Sequence, residues 1–67
     1  MILVINGTMR AVDEEATVED LIAELGLPRK GAGIAVAVNG EVVHRSEWSR
    51  TLGEQDRIEI LHAVQGG

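Results

Sequence analysis

Residues 17–28 read "TVEDLIAELGLP" and specify one amphipathic helix with both of its ends marked. Val18, Leu21, Ile22 and Leu25 recur at i, i+3, i+4 and i+7, so they form a single apolar stripe. Thr17 supplies an oxygen for the exposed amides at the start. Asp20, three residues on, completes an approximate capping box, although its side chain is shorter than the usual Glu. Glu19 and Asp20 place negative charge where a helix N-terminus favours it. At the other end Gly26 is suited to a left-handed residue, Leu27 to a hydrophobic closure, and Pro28 stops any continuation. The helix is therefore expected over Thr17–Leu25. A helix with one stripe needs one apolar surface to cover.

The flanking sequence supplies a sheet. Met1–Ile5 is short, apolar and β-branched, and Asn6-Gly7 is a two-residue hairpin signal. Arg10–Asp13 is expected to return antiparallel, with Met9 at its edge. After a glycine-containing link over Arg29–Gly33, Ile34–Val38 ("IAVAV") is almost continuously apolar and predicts a central strand. Asn39-Gly40 is a second turn signal, followed by a short return at Val42-Val43. Ser46–Asp56 is mostly polar, with Trp48 and Leu52 as anchors and room for one helical turn. Arg57–Val64 alternates, placing Ile58, Ile60, His62 and Val64 on one face and Arg57, Glu59, Leu61 and Ala63 on the other. The resulting class is α+β, a four- or five-stranded mixed sheet covered by one main helix. A single domain is expected over residues 1–64, with 65–67 as a flexible tail.

Composition narrows the function. At 67 residues and without cysteine, one small aliphatic core must carry the fold, burying roughly 60% of the unfolded surface. Two histidines do not make a zinc-ligand pattern, so no metal site is expected. The net charge of −5, from eleven acidic and six basic residues, opposes nucleic-acid binding; it suits a basic protein partner, and solubility accounts for it equally well. No segment is long enough to cross a bilayer. "MILVIN" lacks the basic start and cleavage site of a signal peptide, which favours the cytoplasm.

The catalytic inventory is thin. Ser46 lies two residues from His44 with Glu47 adjacent, but a triad needs an oriented base in a shaped pocket, and these residues share one loop. His62 takes an inward position of the last strand and is expected to be partly buried. Asp13-Glu14-Glu15 lacks calcium-loop spacing and reads as a solvated turn. Gly31–Gly33 precedes a strand, whereas a phosphate loop leads into a helix. No catalytic residue is assigned and no cofactor is expected to bind.

That leaves the ending, "VQGG". Gly66-Gly67 adds nothing to packing, and a frayed terminus is the plain account of it. A functional account gives each feature a reason. Glycines without Cβ can thread a narrow channel, so Gln65, Gly66 and Gly67 are expected to enter partner active sites. The Gly67 carboxylate could attack the α-phosphate of ATP, giving an acyl adenylate with pyrophosphate leaving. The partner would supply magnesium, nucleotide binding and phosphate stabilisation.

"AVAVNGEVVHRSEW" at Ala35–Trp48, Thr51-Leu52, "DRIEI" at Asp56–Ile60 and "AVQGG" at Ala63–Gly67 together resemble the sulfur carrier proteins of thiazole formation in thiamine biosynthesis. The resemblance spans essentially the whole chain and implies a ubiquitin-like β-grasp fold. It further implies that an E1-like adenylyltransferase activates Gly67 with ATP and Mg²⁺. Sulfur from a donor such as a cysteine desulfurase then converts Gly67 to a thiocarboxylate, and thiazole synthase receives that sulfur. The apolar sheet surface and the stem over Ala63–Gln65 correspond to docking regions. The family often has proline at the position of His44 and glycine at that of Gln55; a non-glycine at Gln55 argues against a left-handed turn there. The same fold and tail occur in the small subunit of molybdopterin synthase, in carriers for tRNA thiolation and in ubiquitin-like modifiers. The missing phenylalanine near the end and the Trp48 segment favour the thiazole branch.

Overall fold

The computed structural model describes residues 1–28 and 33–63. Its elements run β1 (Ile2–Ile5), β2 (Thr8–Ala11), α1 (Val18–Glu24), β3 (Ile34–Val38), β4 (Glu41–Val42), a 3-10 turn (Arg45–Glu47) and β5 (Arg57–His62). The five strands form one sheet in the order β2-β1-β5-β3-β4. β1 and β5 run parallel, and the remaining pairs are antiparallel. The sheet is therefore mixed, as the sequence predicts. Because β1 and β5 are parallel neighbours, the chain must cross over between them, and α1 lies in that crossover.

The helix ends are built as their residues dictate. Thr17 Oγ1 accepts from the Asp20 amide at 3.2 Å, and an Asp20 carboxylate oxygen accepts from the Thr17 amide at 3.0 Å. The next free amide, on Glu19, donates to the Trp48 carbonyl at 3.0 Å, tying the helix start to the loop before β5. At the C-terminus Gly26 has φ +71. Its amide donates to the Ala23 carbonyl, and the Leu27 amide to the Ile22 carbonyl. This pair of bonds closes the last turn as a left-handed glycine allows.

The core lies between α1 and one face of the sheet. Leu3 and Ile5 of β1, Val36 and Val38 of β3, and Ile58 and Ile60 of β5 pack with Val18, Leu21 and Ile22; Val43, Trp48 and Leu52 complete the cluster. Trp48 is buried as expected, its indole Nε1–H donating to the Val43 carbonyl at 3.2 Å.

Several sequence expectations are displaced. The return strand covers Thr8–Ala11 instead of Arg10–Asp13. The Asn6-Gly7 turn, at φ 49 and 82, takes two residues, so pairing resumes at once with Ile5 opposite Thr8. Asp13 instead opens a turn, its carbonyl accepting from Ala16 and its carboxylate from Glu15. β5, not β3, is the central strand. The apolar run of β3 does not mean burial on both faces, since Ala35 is exposed. β4 is Glu41–Val42; Val43 follows it, with its side chain buried. His62 is exposed, contrary to the expected partial burial. α1 has seven residues and is therefore about 10 Å long, so the core it covers ends at Ile60. Val64 of the expected strand, and the link residues 29–32, lie outside the described residues.

Gln55 also overturns an expectation. It adopts φ 64, so the turn before β5 is left-handed even without glycine. Its amide donates to the Ile2 carbonyl at 2.7 Å, while Glu54 accepts the Ile2 amide with both carboxylate oxygens. These bonds to β1 hold the turn against its backbone preference. His44, by contrast, sits at φ −67, the value a proline ring would fix.

Two stability predictions follow from these placements. Leu21→Ala should cost about 2–4 kcal/mol of unfolding free energy in urea, whereas Val42→Ala should stay within about 0.5 kcal/mol. Gln55→Gly should raise stability by roughly 0.5–1 kcal/mol, relief of left-handed strain outweighing the added chain entropy. It should appear as a higher urea midpoint at an unchanged slope.

Candidate functional site

The tail follows β5, so what holds β5 determines where the tail starts. On the β1 side, the Val4 amide donates to the Asp56 carbonyl at 3.0 Å and the Asn6 amide to the Ile58 carbonyl at 2.9 Å. β1 then ends, and the Asn6 side chain takes its place. Asn6 Oδ1 accepts from the Ile60 amide at 2.8 Å, and Nδ2 donates to the Ile60 carbonyl at 3.2 Å. One carboxamide thus serves as an extra ladder residue.

On the β3 side, Asn39 acts in the same way at the other end of β5. Its amide donates to the Arg57 carbonyl at 2.8 Å, and its Oδ1 accepts from the Arg57 amide at 3.0 Å. Its Nδ2 reaches Asp56 Oδ1 at 3.0 Å, while the other Asp56 oxygen accepts from the Gly53 amide at 2.7 Å. The antiparallel register runs from Val38 opposite Ile58 to Ile34 opposite His62. A final bond joins the Ala63 amide to the Gly33 carbonyl at 2.8 Å. Support from β3 therefore extends to Ala63.

Gln65, Gly66 and Gly67, the residues expected to enter partner sites, lie outside the described residues, as does Val64. Covalent geometry limits residues 64–67 to a span of about 14 Å beyond Ala63.

The sheet face away from α1 is left open. Register places Val4 opposite Met9 and Arg57, Ala37 opposite Val42 and Glu59, and Ala35 opposite Leu61. Met9, Val42 and Leu61 are 76%, 70% and 71% exposed, too much for side chains that belong to a core. Ala35, Ala37, Val42, Glu59 and Leu61 line a shallow depression beside the last residues of β5. Apolar surface next to the start of the tail is what a docking partner would cover.

Elsewhere the chemistry is sparse. His44, Ser46 and Glu47 are all exposed, and among the described residues no hydrogen bond joins their side chains. A concavity beside α1 is lined by Asp13, Glu15, Asp20 and Glu24 with two alanines. Among the described residues, no group of three or more His, Asp or Glu side chains is placed to hold a metal ion. No helix among them is long and apolar enough to cross a membrane. The sequence reading missed the two asparagine clamps and the contact between Gly33 and Ala63. Both Asn-Gly pairs were visible as turns, but a turn signal says nothing of where its side chain will bond.

A mixed five-stranded sheet grasping one helix, with its first and last strands parallel neighbours in the middle, defines a ubiquitin-like β-grasp protein. The ThiS family model matches residues 3–67, and the chain belongs to the ThiS family. The crystal structure of the thiamine biosynthesis protein ThiS from Geobacter metallireducens is 31% identical and superposes with a TM-score of 0.78, each chain covered in full (100%). A solution structure of a thiamine biosynthesis protein from the same organism gives 0.80 at 31% identity, covering 100% of this chain and 88% of that one. SAMP1 from Haloferax volcanii shares the fold, with a TM-score of 0.57 at 23% identity over 90% of this chain and 79% of its own. A thiazole synthase from Paramagnetospirillum magneticum is 37% identical over 68 residues, matching 100% of this chain. The chain spans about a fifth of that relative's length, 20%.

The Asn6 clamp is testable by amide hydrogen exchange. Asn6→Ala should speed exchange at Ile60 and cost about 1–3 kcal/mol, because a ladder donor and acceptor both lose their partner. Asn6→Asp keeps an acceptor for the Ile60 amide and tolerates the left-handed backbone. It also turns a carboxylate oxygen toward the Ile60 carbonyl in place of the donor, so it should restore only part of the protection there.

Proposed function

We propose that the chain is a sulfur carrier of thiamine biosynthesis, acting as a protein cosubstrate whose reactive group is the Gly67 carboxylate. The observation that carries this reading is the extent of the family match, which runs to residue 67 and so includes both glycines. In the first step a carboxylate oxygen of Gly67 attacks the α-phosphorus of ATP. The bond to the β-phosphate oxygen breaks, and pyrophosphate leaves an acyl adenylate. An E1-like adenylyltransferase supplies the nucleotide site and Mg²⁺, which stabilise charge on the transferring phosphate. A sulfur nucleophile at the sulfide oxidation level, set free when a thiol reductant cleaves the persulfide of a donor such as a cysteine desulfurase, then attacks the acyl carbon. A carbon–sulfur bond forms, AMP leaves, and Gly67 becomes a thiocarboxylate.

Thiazole synthase is the acceptor this reading favours. Support comes from the relative of that name, which contains a counterpart of this entire chain. This chain's own contribution is presentation. Gln65 and Gly66 lead Gly67 into each partner's site, and the absence of side-chain bulk on the glycines permits a narrow channel. The open face around Ala35, Val42 and Leu61 provides the surface on which a partner docks, adjacent to the strand from which the tail departs. After transfer, oxygen replaces sulfur on Gly67 and the carrier is ready for another cycle.

The direct test is intact mass. Incubation with the activating enzyme, ATP, Mg²⁺ and a sulfur source should replace one terminal oxygen by sulfur, and the product should support thiazole formation by thiazole synthase. A variant lacking Gly67 should release no pyrophosphate and gain no sulfur; normal charging of that variant would reject the reading. Leu61→Asp should leave the urea midpoint almost unchanged yet raise KM for the carrier in sulfur transfer roughly tenfold, the loss of about 1.4 kcal/mol of docking energy.

A further inference from the structure

Four described glycines have positive φ: Gly7 at +82, Gly26 at +71, Gly33 at +73 and Gly40 at +84. Three of them need glycine for conformation alone, since a Cβ at Gly7, Gly26 or Gly40 would meet nothing within 4 Å. Gly33 differs. A Cβ there would lie 2.9 Å from the Ala63 carbonyl oxygen and 3.8 Å from the Ala63 Cβ. The first distance is shorter than real Cβ contacts allow, and the atom in the way is backbone, which cannot swing aside as a side chain would. Gly33 also accepts the Ala63 amide at 2.8 Å. The same residue therefore holds Ala63 by its carbonyl and makes room for Ala63 by its missing methyl.

We infer that Gly33 is a positioning residue for the terminal chemistry: it sets the direction in which the chain leaves Ala63 toward Gly67. The inference rests on the carrier reading of Gly67 given above. Its force comes from leverage. Residues 64–67 reach at most about 14 Å, so a rotation of about 10° at Ala63 moves an extended end by roughly 2 Å. Misplacement of a reacting group by about 1 Å can cost on the order of a hundredfold in rate. Partner docking on the open sheet face fixes the body. Among the described residues, the last hold on the stem from the β3 side is Gly33, and it sets the direction in which the chain leaves Ala63.

Gly40 provides a matched control, because alanine there meets the same kind of backbone strain without touching the stem. Both variants, Gly33→Ala and Gly40→Ala, should lower the thermal midpoint through left-handed strain, and Gly33→Ala the more, because its methyl also meets the Ala63 carbonyl oxygen. In pyrophosphate release catalysed by the E1-like adenylyltransferase with ATP and Mg²⁺, Gly40→Ala should stay within about twofold of wild type. Gly33→Ala should lose about tenfold or more in kcat, with KM for the carrier little changed. Equal kcat for the two variants would overturn the inference. If Gly33→Ala does not fold, Ala63→Pro removes the amide that Gly33 holds, at a point beyond the core; wild-type charging of that variant would overturn it as well. An NMR readout needs no partner: the Ala63 amide should shift and exchange faster in Gly33→Ala than in Gly40→Ala, and an unmoved Ala63 would sink the proposal. Failure of wild-type protein to be charged would count against the carrier reading instead, and the two failures are thereby distinguished.

Discussion

Strand β5 is gripped from opposite sides by two asparagine side chains, Asn6 over Ile60 and Asn39 over Arg57. Each belongs to an Asn-Gly turn with left-handed geometry, so each hairpin reversal also delivers a carboxamide to the central strand. β1 is too short to reach Ile60 with its own backbone, and the Asn6 side chain extends the ladder past its end. Without these bonds the middle of the sheet would expose unpaired amides and carbonyls next to the core, an expensive arrangement in a domain with so little apolar volume to spare. The register that follows puts Ile58 and Ile60 under α1 and leaves Leu61 on the other face.

The two faces of the sheet do different work. The face under α1 holds almost every buried side chain, and the loop with Trp48 and Leu52 closes its side. The opposite face keeps Met9, Val42 and Leu61 in water, which is unfavourable for the isolated domain and favourable for one that spends part of its cycle covered. On the proposed carrier reading that exposure has a purpose, since such a carrier is grasped and released by more than one protein.

Much of this was legible in the sequence, for local reasons. The stripe from Val18 to Leu25, with Thr17 and Gly26 at its ends, fixed the helix because capping and periodicity act within a few residues. The Asn-Gly pairs located both hairpins, and Trp48 was recognisable as a core residue because no other aromatic was available. Long-range facts were less accessible. The apolar run of β3 looked central, but strand order depends on which partner β1 chooses. His62 fitted the inward alternation, yet its burial depended on how far a short helix extends. Gln55 gave no sign of a left-handed backbone, because the bonds that impose it come from β1, far away in sequence. The sequence offers the two terminal glycines as the candidate site but gives no sign of the contact between Gly33 and Ala63, which depends on how β3 and β5 come together.

Trp48 is the single aromatic side chain of a protein without tyrosine or phenylalanine. Its indole is held against the Val43 carbonyl, while its own carbonyl caps the helix through Glu19. Near-ultraviolet absorbance, emission and circular dichroism therefore originate at one point, the junction of helix, loop and sheet. That optical signal is unmixed and comes from the core side of the sheet, so it records the integrity of the body.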